Sequence, residues 1–252
     1  MKKYFADYAA QTMGVSAGQL LAVVKLLNEG NTVPFISRYR KEATGNMDEV
    51  KVFAAEKLLK QYNELEERKQ TVLQTIEEQG KLTEELRKRI GEICDMTALE
   101  DLYLPYKPKR RTRAMTAREN GLEPLALLIL QQKPFHIETE AEKWICEAYP
   151  SAEEVIQGAC DIIAEMISED AGVREALRRL YVRSAVIASK AAKGKEEEGA
   201  NYRDYFNYSE PLFRCKSHRL MAVLRGEKEG FLKVKISVDE DQAVEIITRK
   251  YV

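Results

Sequence analysis

Six cations crowd one short stretch of the chain: Lys107, Lys109, Arg110, Arg111, Arg113 and Arg118. No acid interrupts them between Lys107 and Arg113; Glu100 and Asp101 precede the run, and Glu119 and Glu123 follow it. Pro105 and Pro108 stand at its start. Each proline removes a backbone donor and steers the residue before it toward an extended conformation. Cations on such a stiff connector set up a local positive field of the kind a phosphate backbone recognises. Each phosphate neutralised releases condensed counterions, so binding of this type ignores base sequence and fades as salt rises. The plainer alternative is a solvated loop whose arginines pair with Glu100, Asp101, Glu119 and Glu123, at about 0–1 kcal/mol per pair. Tyr103 and Tyr106 are able to stack on bases, but their LYLPY setting reads as core packing.

Other charged or reactive groups are less suggestive. Arg38, Arg40 and Lys41 follow a short apolar patch of Val33, Phe35 and Ile36, and Arg38 with Tyr39 reads as an internal strut. Lys190, Lys193 and Lys195 are offset by Glu196, Glu197 and Glu198, which suits an exposed loop or hinge. His136 and His218 are far apart and lack the paired ligands that zinc needs. No glycine-rich phosphate loop and no nucleophile–base pair is visible. Cys94, Cys146, Cys160 and Cys215 are isolated, with no CxxC spacing, and are expected to be reduced thiols. The expectation is a non-catalytic protein with no metal and no cofactor.

Composition sharpens this. Lys and Arg total 40 against 41 for Asp and Glu, a net charge of -1. Affinity for a polyanion must therefore come from a local patch and not from the whole surface. The N-terminus has two lysines but no apolar core of a signal peptide, and no run approaches the roughly 20 apolar residues of a membrane span. A soluble, cytoplasmic protein is the expectation.

The elements that position these residues are mostly helices. Ser16 and Gln19 form a capping box opening a helix, with Gly30 at its end. Pro34 is expected to interrupt the chain between Thr32 and Gly45. Asp48 caps a long central helix ending near Gln79, with Leu58, Tyr62, Leu65, Val72 and Ile76 as its inner stripe. Glu64, Glu66, Glu67, Arg68, Lys69, Glu77 and Glu78 are assigned to its outer face. A returning helix runs from Thr83 to Ile93, and Thr97 caps another to Tyr103. Two short helices around Gly121, Arg113 to Asn120 and Leu122 to Gln131, outline a helix-turn-helix. Further helices are expected at Glu138 to Ala148, Ala152 to Glu169 and Ala171 toward Ala192. Ser217 caps another to about Arg225, and Asp239 caps a last one through Tyr251. FLKVKISV (Phe231 to Val238) alternates and is the one clear strand, with Leu232, Val234, Ile236 and Val238 inward. Its partner is sought in Tyr202 to Tyr208 or in further sequence. The fold class is mostly α, a multi-helix assembly with minor β near the C-terminus.

Four blocks carry a family resemblance: TVPFISRYRKEATGNMDEV (Thr32 to Val50), LEDLYLPYKPKRRTRAMTARENGLEPLA (Leu99 to Ala126), KGKEEEGANYRDYFNYSEP (Lys193 to Pro211) and SHRLMAVLRGEKEGFLKVKI (Ser217 to Ile236). Together they resemble the N-terminal helical region of the bacterial Tex family, transcription accessory proteins related to the eukaryotic elongation factor Spt6. The resemblance implies a Tex-like helical domain over 1–192 and, over 193–252, the start of a central region. Beyond it the family continues into YqgF, helix-hairpin-helix and S1 RNA-binding domains. It implies a role in transcription or RNA metabolism. The expected function is a non-catalytic module that binds RNA or DNA weakly through Lys107, Lys109, Arg110, Arg111, Arg113 and Arg118, and that serves as a scaffold. The alternative is a purely structural docking module for the downstream domains or the transcription machinery.

Overall fold

Most helix ends are set by side chains that satisfy the backbone N–H groups a first turn leaves unpaired. In the computed structural model, which describes residues 1–108 and 110–252, the chain divides into two units, Met1–Pro108 and Lys109–Val252. The first contains α1 (Lys3–Met13), α2 (Ala17–Asn28), α3 (Val33–Tyr39), α4 (Glu49–Glu78), α5 (Glu84–Glu92) and α6 (Met96–Tyr103), followed by a 3-10 turn at Leu104–Tyr106. The Ser16–Gln19 capping box is present in both directions. Asp48 accepts the Lys51 N–H at 2.8 Å to start α4. Pro34 does not break the chain: it lies in the first turn of α3, where its missing N–H costs no hydrogen bond. The cap of α6 is Asp95, which accepts from the Ala98 N–H, and not Thr97.

Tyr62, Leu65, Val72 and Ile76 of α4 are buried with Leu20, Val23, Ile36, Leu86, Ile90 and Leu99 in one core. Each large aliphatic side chain there contributes about 1.5–3 kcal/mol. One expectation fails on this helix. Lys69 is 3% exposed, not on the outer face. It falls four residues after Leu65 and three before Val72, so the stripe itself carries it inward. Its three ammonium donors are satisfied by the Tyr4 hydroxyl (2.8 Å), Glu66 Oε1 (3.0 Å) and the Gly91 carbonyl (2.9 Å), which ties α1 and α5 to α4. Glu66 also accepts from Tyr4 and pairs with Lys2. Burial alone would raise the Glu66 pKa, but these donors outweigh it and hold the carboxyl at about 2.

The second unit contains α7 (Arg113–Glu119), α8 (Glu123–Leu130), α9 (Ile137–Glu142), α10 (Ala152–Glu169), α11 (Ala171–Ser184), β1 (Val186–Ala191), β2 (Asn207–Pro211), α12 (Ser217–Lys228), β3 (Leu232–Ser237) and α13 (Glu240–Tyr251). Helices α7 and α8 meet at Gly121, as the helix-turn-helix outline requires. Ala114, Ala117, Ala126 and Ala159 keep this core close, together with Leu122, Leu125, Val155 and Ile162. Gly158 on α10 is there for approach: a Cβ would stand 2.6 Å from Leu122 and 2.9 Å from the Tyr149 ring. Helix α9 stops at Glu142, before Trp144, and is shorter than expected.

The helix expected to run from Ala171 toward Ala192 ends at Ser184, and the chain continues as β1. This strand is central, in the antiparallel order β2-β1-β3, with Ile187 opposite both Glu210 and Ile236. Leu232 is buried, but the inward alternation of β3 fades, and Ile236 is exposed. Strand β1, within residues 1–192, takes both its partners, β2 and β3, from residues 193–252. The last helix is fixed by Asp170, which accepts from Lys250 and from the Tyr251 hydroxyl.

Candidate nucleic-acid interface

The basic connector does not present its cations uniformly. Lys107 is exposed at the end of the first unit, its N–H held by the Tyr103 carbonyl at 3.0 Å. Lys109 lies outside the described residues. Arg110 is exposed and pairs with no carboxylate among the described residues. Arg111 reaches Glu119 at 2.9 Å with its side chain still 72% exposed. Arg113 reaches Asp161 of α10 at 3.4 Å and is 84% exposed.

Arg118 is different. Its side chain is 30% exposed and bridges Glu165 of α10, itself 11% exposed, and Glu123 at 3.4 Å. Burial by itself would lower the Arg118 pKa; the carboxylates of Glu165 and Glu123 outweigh it and hold the group above its ordinary value. Thr112 first caps α7 by accepting the Met115 N–H at 3.1 Å, then donates its hydroxyl to Glu165 at 3.0 Å. Arg118 thus ties α7 to α10, with less of its side chain in water than Arg111 or Arg113.

Among the partners expected for these arginines, Glu119 and Glu123 serve. Glu100 instead takes Arg68 at 2.6 Å. Asp161 and Glu165 come from a helix some fifty residues on, and sequence spacing carries no signal for them. Tyr103 is buried beneath the Arg68 guanidinium, 5.2 Å from its ring, and Tyr106 packs against the same core. Neither tyrosine is a stacking platform.

A second basic segment is more open than its sequence suggests. Arg38, Tyr39, Arg40 and Lys41 are all exposed at the end of α3, so Arg38 and Tyr39 are not an internal strut. Among the described residues no carboxylate pairs with Arg38, Arg40 or Lys41. Tyr39 is 71% exposed.

No group of three His, Cys, Asp or Glu side chains converges for a metal among the described residues. Nor is any single described helix long and apolar enough to cross a membrane.

A family model for the Tex-like protein N-terminal domain matches residues 3–77, and one for a Tex central region-like domain matches 132–251. Transcriptional accessory protein Tex of Neisseria gonorrhoeae is 44% identical over 232 residues, 92% of this chain and 31% of that protein. Protein YhgF of Escherichia coli is 45% identical over 241 residues, 95% of this chain and 31% of that protein. S1 RNA-binding domain-containing protein 1 of Homo sapiens is 26% identical over 226 residues, 86% of this chain and 23% of that protein. The chain therefore spans about a third of the length of its bacterial relatives.

Proposed function

Because this chain belongs to the Tex family, we propose that it is a non-catalytic scaffold and nucleic-acid-binding module of a cytoplasmic transcription accessory protein. Its partners are RNA or DNA, the transcription machinery and the further domains of the longer protein. The names of relatives support the process: one is a transcriptional accessory protein and another an S1 RNA-binding domain-containing protein. The observation that carries the binding role is the exposure of Arg110, Arg111 and Arg113 at the start of α7. The surface pairs of Arg111 and Arg113 contribute about 0–1 kcal/mol each, so a phosphate is able to displace the carboxylate. The gain is modest, because the released carboxylate recruits a cation and offsets the counterions set free. Arg110 has no such exchange to make.

The test is fluorescence anisotropy with single-stranded RNA across a salt series. Replacing Arg110, Arg111 and Arg113 by alanine should weaken binding and flatten the salt slope by about 0.7, the share of one full contact on a single strand. Affinity and slope equal to the parent's would reject the connector as a contact.

A further inference from the structure

We propose that the end of α3 and the turn that follows it, Arg38–Ala43, bind single-stranded nucleic acid, with Tyr39 stacked on a base and Arg38, Arg40 and Lys41 on the flanking phosphates. The inference rests on the reading of the chain as a nucleic-acid-binding module, but not on the connector. Three cations without a carboxylate partner stand within four residues, around an aromatic ring that is mostly in water. They line a cleft of about 350 Å³ with Glu42 and Ala43. Glu42 is the one acid lining it and pairs with none of them.

The aromatic surface is continuous. Tyr39 lies 5.3 Å from the Phe35 ring, and the Arg40 guanidinium sits 5.8 Å from the Phe35 centroid. Exposing these rings to water is unfavourable, and a stacked base would cover Tyr39 while the cations hold its backbone. An acidic peptide would satisfy the cations and leave the ring bare. Duplex DNA keeps its bases stacked on each other, so an unpaired strand is the better match.

The turn is built to hold its shape. Ile36 and Thr44 are fully buried on either side of it. The Thr44 hydroxyl donates to the Lys41 carbonyl at 3.0 Å, and the Asn46 N–H donates to the same oxygen at 2.8 Å. Gly45 has φ +62° and packs beneath Gln19, whose amide donates to the Gly45 carbonyl at 3.0 Å. A Cβ at Gly45 would stand 2.6 Å from that amide nitrogen. The loop is thus fixed to the α2 capping box, and less ordering is left to be done on binding.

The experiment titrates the full chain into a labelled single-stranded RNA of about twelve nucleotides, within the roughly 4–16 of single-strand sites. Tyr39→Ala should weaken binding about five- to hundredfold, the span of one stacked base, while Tyr39→Phe stays near the parent. Replacing Arg38, Arg40 and Lys41 by alanine should reduce the salt slope by about 2, three contacts at about 0.7 each. These side chains are exposed, so an unchanged melting temperature should confirm that each variant is folded. Parent binding that survives both sets of substitutions would overturn this site and leave the module reading standing. No binding by the parent at low salt would overturn both. Equal affinity for duplex, with Tyr39→Ala silent, would overturn the stacking role. So would oligo-glutamate binding at the turn with Tyr39→Ala silent.

Discussion

The Arg38–Lys41 turn and the Arg110–Arg118 segment are both rich in cations, yet their surroundings are opposite. In the first, three cations face water around an exposed tyrosine. In the second, Arg111, Arg113 and Arg118 each hold a carboxylate, and Tyr103, which precedes the segment in sequence, is buried in the first unit. Counting basic residues favours the second region; counting what each one already holds favours the first. The cations of this chain form a ladder, from Lys69 locked in the core, through Arg118 and the exposed pairs, to the unpaired turn.

Substitutions along that ladder should separate stability from binding. Lys69→Ala takes one of three donors from Glu66, which keeps Lys2 and Tyr4, and leaves the Tyr4 oxygen and the Gly91 carbonyl without that ammonium; it should cost about 3 kcal/mol, read by urea unfolding. Acid should act on the same network. Glu66 has its folded pKa at about 2 against an ordinary 4.5, so its contribution is complete above the ordinary value and disappears as pH falls toward the folded one. That contribution is on the order of 2–3 kcal/mol. Glu66→Gln should remove much of this pH dependence in unfolding curves.

Arg118→Ala takes the guanidinium from Glu165, which keeps the Thr112 hydroxyl, and should destabilise the second unit by about 1–3 kcal/mol, with RNA affinity of the folded protein nearly unchanged. A large loss of affinity in that variant, measured where it is folded, would return Arg118 to the binding surface. The smallest effect belongs to Arg111→Ala with Arg113→Ala. Stability should move by no more than about 1 kcal/mol for each pair removed, and RNA affinity should change little.

Local signals were easy to read in the sequence and distant ones were not. The caps at Ser16, Asp48, Thr83, Ser151, Asp170 and Asp239 act within three residues, and each satisfies the helix start it precedes. Ser16, Asp48 and Asp239 are legible as caps and Thr83 as a helix start, while Ser151 and Asp170 directly precede the helices expected from Ala152 and Ala171. Lys69 has the charge of an outer-face residue but lies on the buried stripe, because position along the helix decides its side. Strand β1 is not legible in the sequence, because VIASKA, flanked by alanines and following a true helix, has little strand character of its own. Its two neighbouring strands supply the pairing. Asp161 and Glu165, the α10 partners of Arg113 and Arg118, are tertiary, brought across the small residues of the second core. No spacing in the sequence encodes them. The unpaired state of Arg38, Arg40 and Lys41 is equally a fact of tertiary surroundings.

The most direct measurement is the salt dependence of single-stranded RNA binding for two triple-alanine variants, one at Arg38, Arg40 and Lys41, the other at Arg110, Arg111 and Arg113. If unpaired cations make the binding face, the first should flatten the slope by about 2 and the second by about 0.7. Equal losses, or a greater loss from the connector variant, would contradict that account.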